Sequence, residues 1–475
     1  MKFKKFVSVF AALMAAIVCT FSLAACGGND NLGTTEELKK DENGNVVFDD
    51  VELRFSTVVS GTDKTALQQI VNDFNDEYDG KIYIAMTPIS SHTFENTVMS
   101  QIKFDNNAPD LIMSHNKSHK QFLDNNYIRP LNDIMELSGI KVNLSDYAEG
   151  IAKYSSLGQD GKMYNVPIDI QSLMVYYNKD TLAKYGEVPT NREELIAICT
   201  EYAEDTGELP ISWATDYDFF YNYLCMTAFM QNGAKMYNTS NYKAEWTTEP
   251  NLQAFKDGIA SVRGLIKHVP QLAQGDLSET ASTNLFIQDK CLFYVTVPWG
   301  LDDLAAAYAK NHSGMTAAKV KSEVLGATSL SRWFALDQTK DYAEKVYGES
   351  HAFAMTKTCR DVNKQAAIME FIKWFTQNGK QGAKWAAAGH ISVSKIITES
   401  DEYKNNSDVK NFISKGYPGI DKFECVGITP FYDELGKRFT SLITNTINKN
   451  TADDDFNQIK TAQDNYNSAV EFAEM

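Results

Sequence analysis

Apolar and polar residues follow two different periods along the first part of the chain. Residues 51–56 alternate strictly between apolar and polar side chains, which predicts a half-buried strand. Apolar residues then recur at helical spacing and predict an amphipathic helix, at Leu67, Ile70, Val71, Phe74 and Tyr78. A strand over 81–86, a helix over about 94–104 and a strand over 111–113 follow. Strands alternating with helices are typical of an α/β fold with a parallel sheet.

The same two periods predict elements in the rest of the chain. The segment 163–178 contains another strand around Leu173, Met174 and Val175, and a short strand covers 209–212. A β-branched strand over 292–297 ends at Pro298-Trp299-Gly300. Helical spacing predicts helices over about 190–202, 219–230 and 363–375.

The first 26 residues form a separate unit. Lys2, Lys4 and Lys5 precede an uncharged, mostly apolar run, and Leu23-Ala24-Ala25-Cys26 closes it. This order predicts a secretory signal over residues 1–25. Cys26 at the junction resembles the site in bacterial lipoproteins whose sulfur receives a diacylglycerol. A plain cleaved signal and an N-terminal membrane anchor are the alternatives, although the apolar run is shorter than the roughly 20 residues that a spanning helix needs.

Length and composition predict a large secreted protein with more than one core. The chain has 475 residues, and 43% of them are hydrophobic. A chain of this length is too long for one compact core, so we expect two lobes. The polar, glycine-containing stretch 26–50 predicts a flexible tether. The formal net charge of -17 argues against nucleic acid as a partner, because an acidic surface repels phosphates.

Cysteines and histidines give no pattern typical of a disulfide framework or a metal site. Once the signal and Cys26 are set aside, five widely spaced cysteines are left. Burial as free thiols is expected for Cys199 and Cys225, while one disulfide among the five stays open. No local cluster has metal-ligand spacing, and residues 41–45 predict a turn rather than a calcium loop. We therefore expect no cofactor and no metal.

Six sequence fragments, in their order and spacing over about residues 50–400, resemble one protein family. Besides the strand–loop–helix opening, they are Ala108-Pro109-Asp110-Leu111 with 123–131, 161–167 with 176–180, 189–195, 286–290 with Pro298-Trp299, and 387–393. Together they resemble the carbohydrate-type extracellular solute-binding proteins of ABC importers, the group of maltodextrin-binding protein. The chain departs from the family pattern at Asp289-Lys290, Ser392 and Asn191, positions that concern turns and packing.

The resemblance implies a two-lobed periplasmic-binding-protein-like α/β fold with hinge strands between the lobes. By analogy, residues 51–168 and about 333–395 form the N-terminal lobe, and about 169–332 and 396–475 the C-terminal lobe. The expected crossings lie near 168–173, 325–332 and 391–397. The family captures a carbohydrate in the cleft and delivers it to the permease subunits of an ABC transporter. We therefore expect a monomeric binder, not an enzyme, lipid-anchored on the extracellular face of a bacterial, Gram-positive cell membrane.

A sugar site needs aromatic rings for the apolar faces of the sugar and polar groups for its hydroxyls. The resemblance implies that Trp299 stacks on the sugar. It also places Trp213, Tyr217, Trp333 and Trp385 near the cleft, with core packing as the alternative for each.

The polar candidates follow predicted strands, whose carboxyl ends face the cleft in open α/β sheets. Ser60, Thr62 and Asp63 lie in the first strand-to-helix loop, and for Thr62 or Asp63 capping of the following helix is the alternative. A second group follows the strand at 111–113, with a solvated loop as the alternative, and comprises Ser114, His115 and Asn116. Asp169 and Gln171 lie in the first crossing, and Gln171 stands where the maltodextrin-binding pattern has an acid.

Two other classes of function stay open at this point. A lipid-anchored secreted enzyme acting on glycans would need two carboxylates about 5–10 Å apart, and the chain has many acids. However, no nucleophile elbow, zinc-protease motif or phosphate loop is present in the sequence. A binder of another solute, such as a peptide, a polyamine or a metal, is the second alternative, because stacked aromatic rings and acids also suit a cation.

Overall fold

The structure is a computed structural model. It describes residues 37–61, 63–158, 160–214, 218–238, 241, 243–266, 268, 278–417, 419–424 and 452–474. Within these ranges, no helix combines the length and the apolar character that a membrane crossing requires. The predicted signal and Cys26 lie outside the described residues.

The strands are short and distributed along the whole described chain. They are β1 Val51–Thr57, β2 Ile82–Pro88, β3 Leu111–His115, β4 Asn165–Pro167, β5 Asp169–Ile170, β6 Met174–Asn178, β7 Ile211–Trp213, β8 Phe293–Thr296, β9 Leu325–Thr328, β10 Val346–Tyr347, β11 His351–Met355, β12 Ile391–Ser392 and β13 Phe423–Glu424. The predicted strands around residues 51, 82, 111, 174 and 293 are confirmed. Trp213 is the last residue of its strand, whereas the sequence placed it just after the strand.

Helices connect and cover these strands. They are α1 Lys64–Glu77, α2 Phe94–Phe104, α3 His119–Asp124, α4 Asn132–Ser138, α5 Glu149–Ser155, α6 Lys179–Leu182, α7 Arg192–Thr206, α8 Asp218–Met230, α9 Asn251–Ile266, α10 Glu279–Ile287, α11 Leu301–Asn311, α12 Val362–Gln377, α13 Gly379–Ala387, α14 Lys395–Glu399, α15 Asp401–Asn405 and α16 Ala452–Glu474. Shorter helical turns cover Asn116–Ser118, Leu144–Asp146, Pro298–Gly300, Ala317–Lys319, Val320–Val324, Asp341–Glu344, Val409–Ile413, Ser414–Gly416 and Ile420–Lys422. The five helices predicted from periodicity, α1, α2, α7, α8 and α12, are confirmed.

Two sheets organise the molecule. The first sheet has the order β2-β1-β3-β11-β4, in which β1 is parallel to β2 and β3, and β11 is antiparallel to β3 and β4. The second sheet has the order β7-β8-β6-β9, with β6 antiparallel to both neighbours. Two two-stranded pairs, β5 with β12 and β10 with β13, complete the pairing. The predicted α/β class is confirmed, with antiparallel strands added to a parallel set.

Apolar side chains form two core clusters. The first core cluster contains Phe55 and Phe353 of the first sheet and Phe371 of α12. The second core cluster contains Phe293 and Val295 of the second sheet. Strand β6 contributes side chains to both core clusters, because successive side chains of a strand point to opposite faces of the sheet. Met174 and Tyr176 lie in the first cluster, and Val175 lies in the second.

The chain passes between the sheets in two long connections. The first runs from Pro167, which ends β4, to Met174, which begins β6, and contains β5. The second runs from Thr328 to His351, later than the sequence suggested, because residues 325–328 pair with β6 as strand β9. Trp333, expected in the N-terminal lobe, packs in the second core cluster.

The expected tether is partly folded. Lys40 pairs with Val46, and Asp41 Oδ1 accepts hydrogen bonds from the backbone of Asn43 and Asn45, so the predicted turn is confirmed. Leu38, Val46 and Phe48 pack against the first core cluster, and this apolar contact anchors the segment. A free tether up to Asp50 is therefore wrong for residues 38–48.

The cysteines of the described residues are free thiols. Cys199, Cys225, Cys291 and Cys359 are buried, as expected for the first two, and Cys425 lies outside the described residues. Burial raises the pKa of all four thiols, to about 12 for Cys199, because the apolar surroundings disfavour the thiolate.

Candidate functional site: a buried His–Asp cluster

A buried carboxylate lies where the two sheets meet. Asp169 begins β5, pairs with Ser392 of β12, and is 0% exposed. Its Oδ1 accepts a hydrogen bond from the backbone N–H of His351 at 2.7 Å. Its Oδ2 accepts from Trp385 Nε1 at 2.9 Å and from His351 Nδ1 at 2.8 Å. Asp169 thus connects the first passage to β11 and to helix α13.

A second histidine links this carboxylate to another acid. His390 lies just before β12, with Nδ1 3.4 Å from Asp169 Oδ2 and Nε2 2.9 Å from Asp63 Oδ2. We refer to Asp63, Asp169, His351 and His390 as the His–Asp cluster. Asp63 stands at the start of α1, yet its side chain makes no cap bond, so the capping alternative does not hold for this residue. Its carboxylate accepts from His390 instead.

The surroundings of both acids favour their charged forms. Burial by itself would raise the pKa of Asp169, but the charge and hydrogen bonds of His351, together with His390, outweigh it and lower that pKa below its usual range. The same balance holds for Asp63, where the hydrogen bond and charge of His390 outweigh burial and lower the pKa. The histidines beside them therefore favour the carboxylate form of both acids.

Aromatic rings stack beside the cluster. Trp385 lies 4.0 Å from His390 between ring centroids, with an angle of 6° between the planes. Trp299 is parallel to the same histidine within 3°, at 5.8 Å. Trp299 is partly exposed while Trp385 is buried. His115 stacks on His351 at 5.0 Å, and burial lowers its pKa well below its usual range.

The strand ends supply further polar groups. The Gln171 amide lies 2.8 Å from the His351 ring, and its backbone pairs with Glu349. Ser114 is buried at the end of β3, and Asn116 Oδ1 accepts from the backbone N–H of Ser350 at 2.9 Å. Ser60 is exposed.

The predicted ligand residues separate into those near the cluster and those in the core. Asp63, Asp169, Gln171, His115, Trp299 and Trp385 come together, and Ser114 and Asn116 flank them. Trp213 and Trp333 are 0% exposed in the second core cluster, and Trp385, although it stacks on His390, is 1% exposed in the first. The core-packing alternative therefore holds for all three. Thr62 and Tyr217 lie outside the described residues.

Sequence reasoning missed His351 and His390 as site residues. His390 belonged to a fragment that carries the family resemblance, directly after the helix of Trp385, and this was a usable signal. His351 opens an apolar strand with no polar pattern around it. A search for metal ligands closely spaced in the sequence also misses these histidines, because Asp169 and His351 are 182 positions apart in the chain.

Gly389 lets the loop that carries His390 approach Trp299. Its φ is +96°, a conformation that residues with a Cβ rarely adopt, and a Cβ there would collide with the backbone of Trp299. The close approach holds the Trp299 and His390 rings in parallel.

Substituting Gly389→Ala should therefore lower the free energy of unfolding by about 1–3 kcal/mol through backbone strain, with an additional cost from the collision. Gly139→Ala is the matched control, because Gly139 also has a positive φ of +76° but open space around an added Cβ. Urea denaturation of both variants measures the difference. Equal losses would mean that the approach to Trp299 contributes nothing.

Comparison with known proteins identifies the family. The family model of the bacterial extracellular solute-binding protein matches residues 69–411. A curated relative, the sn-glycerol-3-phosphate-binding periplasmic protein UgpB of Agrobacterium fabrum, is 27% identical over 143 residues, 29% of this chain. That match spans only 32% of the relative's length.

Solved structures share the fold across most of the chain. The sugar-binding protein MalE of Xanthomonas citri matches with a TM-score of 0.70 and 14% identity, covering 90% of this chain and 100% of its own. The cyclic alpha-maltosyl-1,6-maltose binding protein of Arthrobacter globiformis gives 0.65 and 16%, covering 88% and 99%. The GacH receptor of Streptomyces glaucescens gives 0.64 and 17%, covering 89% and 98%. The chain therefore belongs to the bacterial extracellular solute-binding protein family and has its two-lobed α/β fold.

Proposed function

We propose that this protein captures a carbohydrate, of oligosaccharide size, between its two lobes and delivers it to the permease of an ABC importer. The observation that supports this most directly is the partly exposed Trp299, held parallel to His390, whose ring lies between the partly buried Asp63 and the buried Asp169. An aromatic face for sugar C–H groups and charged acceptors for hydroxyl groups are the two elements of a sugar site.

In this proposal the lobes follow the sheets. One lobe contains the first sheet and the other the second, and the passages through 168–173 and 329–350, with the β5–β12 pair, act as hinges. The ligand-binding residues we propose are Trp299, Trp385, Asp63, Asp169, Gln171, His115, Ser114, Asn116 and Ser60. Trp213 and Trp333 would support the site from the core. The Arthrobacter globiformis protein that binds cyclic alpha-maltosyl-1,6-maltose and the sugar-binding protein MalE of Xanthomonas citri support a carbohydrate as the ligand class.

The proposal includes attachment to the membrane through a lipid on Cys26, on the outer face of the cell. The lysine-rich head, the apolar run and the cysteine junction support it. A tether keeps a monomeric binder close to its permease and raises its local concentration there. Family membership supports binding rather than catalysis.

Isothermal titration calorimetry against a panel of oligosaccharides tests the ligand class. We expect micromolar or tighter binding to at least one sugar, and no product released from it in a chromatographic assay. The panel should also contain sn-glycerol-3-phosphate, a peptide and a polyamine. No response to any sugar, with a clear response to one of these three, would contradict a carbohydrate ligand; cleavage of the bound sugar would favour an enzyme.

A further inference from the structure

The His–Asp cluster brings three metal-ligating side chains together inside the protein. Asp169, His351 and His390 each offer one ligand atom, and these atoms lie within 4.8 Å of one another. Their side chains are at most 3% exposed. The three residues come from the first passage, the start of β11 and the loop before β12, so each belongs to a different segment at the junction of the sheets.

One ring nitrogen of His390 has no hydrogen-bond partner within the cluster. A carboxylate can only accept, so Nε2 of His390 donates its proton to Asp63 Oδ2 at 2.9 Å. Nδ1 is then left facing Asp169 Oδ2 at 3.4 Å, and this buried nitrogen has no hydrogen-bond partner. A metal cation between the two atoms would give both of them a partner.

The separation of the atoms fits a metal ion better than a proton. A distance of 3.4 Å between His390 Nδ1 and Asp169 Oδ2 exceeds that of a normal N–H···O hydrogen bond. Two ligands of a tetrahedral zinc, each about 2.0–2.1 Å from the metal, lie roughly 3.3 Å apart. The distance between His351 Nδ1 and Asp169 Oδ2 is 2.8 Å. The ligand-to-ligand distance expected around zinc thus lies between this separation and the 3.4 Å separation of His390 Nδ1 from Asp169 Oδ2.

The surrounding groups are those that orient metal ligands. Metal-binding histidines usually give their second ring nitrogen to a carboxylate, a carbonyl or another polar partner. Asp63 stands in this position behind His390. Trp385 Nε1 donates to the Asp169 carboxylate and fixes its orientation.

We propose that Asp169, His351 and His390 bind one divalent transition-metal ion of the zinc type. Two imidazoles and a carboxylate are a ligand set that zinc and its neighbours in the first transition row prefer. The metal would replace the Nδ1 proton of His351 and lie between His390 and Asp169. It would also tie together the three chain segments that meet between the sheets.

Metal analysis of the purified full-length protein, prepared without a histidine tag, tests the site. The protein is stripped with EDTA, equilibrated with Zn²⁺, dialysed and measured by inductively coupled plasma mass spectrometry. We expect about one zinc per chain, and a weakening of zinc affinity by at least tenfold in His390→Gln. His312→Gln is the matched control, because His312 also pairs with an aspartate, Asp289, but at the partly exposed surface.

Two further measurements keep the test decisive if a variant is unstable. Zn²⁺ should raise the melting temperature of the wild-type protein, since a ligand that binds only the folded state stabilises it. Co²⁺ in place of Zn²⁺ should give the visible absorption of a nitrogen- and oxygen-ligated ion. A wild-type protein that retains neither ion and shows no thermal shift would overturn the proposal. Unchanged zinc binding by folded His390→Gln would also overturn it.

Discussion

Replacing Asp169 by alanine should lower the free energy of unfolding by about 3–5 kcal/mol, the largest stability effect that we expect from one substitution. The carboxylate receives the backbone N–H of His351, the indole N–H of Trp385 and the His351 ring N–H. All three donors are buried, so the variant would leave them without an acceptor and without water to replace it. Asp169→Asn keeps an oxygen acceptor but not the charge, and should lose less.

Urea denaturation followed by circular dichroism, in buffer with EDTA, measures this loss. Asp289→Asn is the control, because Asp289 also pairs with a histidine, His312 at 2.9 Å, but its side chain is 41% exposed. An exposed pair contributes about 0–1 kcal/mol. Equal losses in Asp169→Ala and Asp289→Asn would mean that the network around Asp169 does not stabilise the fold.

Replacing Trp299 by alanine should weaken binding of the sugar by about 1–3 kcal/mol, which is roughly 5- to 150-fold in affinity. The prediction rests on the proposed function. The Trp299 ring is partly exposed, packs against the second core cluster and is held parallel to His390. A sugar that covers its exposed face would lose both buried apolar area and stacking.

Calorimetry with the best sugar of the panel measures the change in affinity, and thermal denaturation of the same samples measures stability. Trp374→Ala is the control, because the Trp374 ring is also partly exposed but packs against Phe74 and Phe371. It should lower the melting temperature and leave the affinity unchanged. The opposite result for Trp299→Ala, a lower melting temperature with normal affinity, would make Trp299 a packing residue only.

Much of the secondary structure could be predicted because it depends on near neighbours. The alternation over 51–56 became β1, and the spacing from Leu67 to Phe74 became the buried face of α1. Asn191 before α7 accepts from the backbone of Glu194, as a helix cap should. Trp213 and Trp333 show where such reasoning stops, since an aromatic residue near a strand end suits a cleft wall and a core equally well.

The sequence by itself determined the α/β class and the family, and it predicts a secretion signal with a cysteine junction. These depend on short-range periods and on the order of local fragments. Only the tertiary structure decided the site, because its members are far apart in the chain. Asp63 and His390 are separated by 327 positions, and no local period relates them. The pairing of β5 with β12 and the position of β11 between β3 and β4 bring them together. Burial then turns two acids and two histidines into a network in which each charge needs its partner.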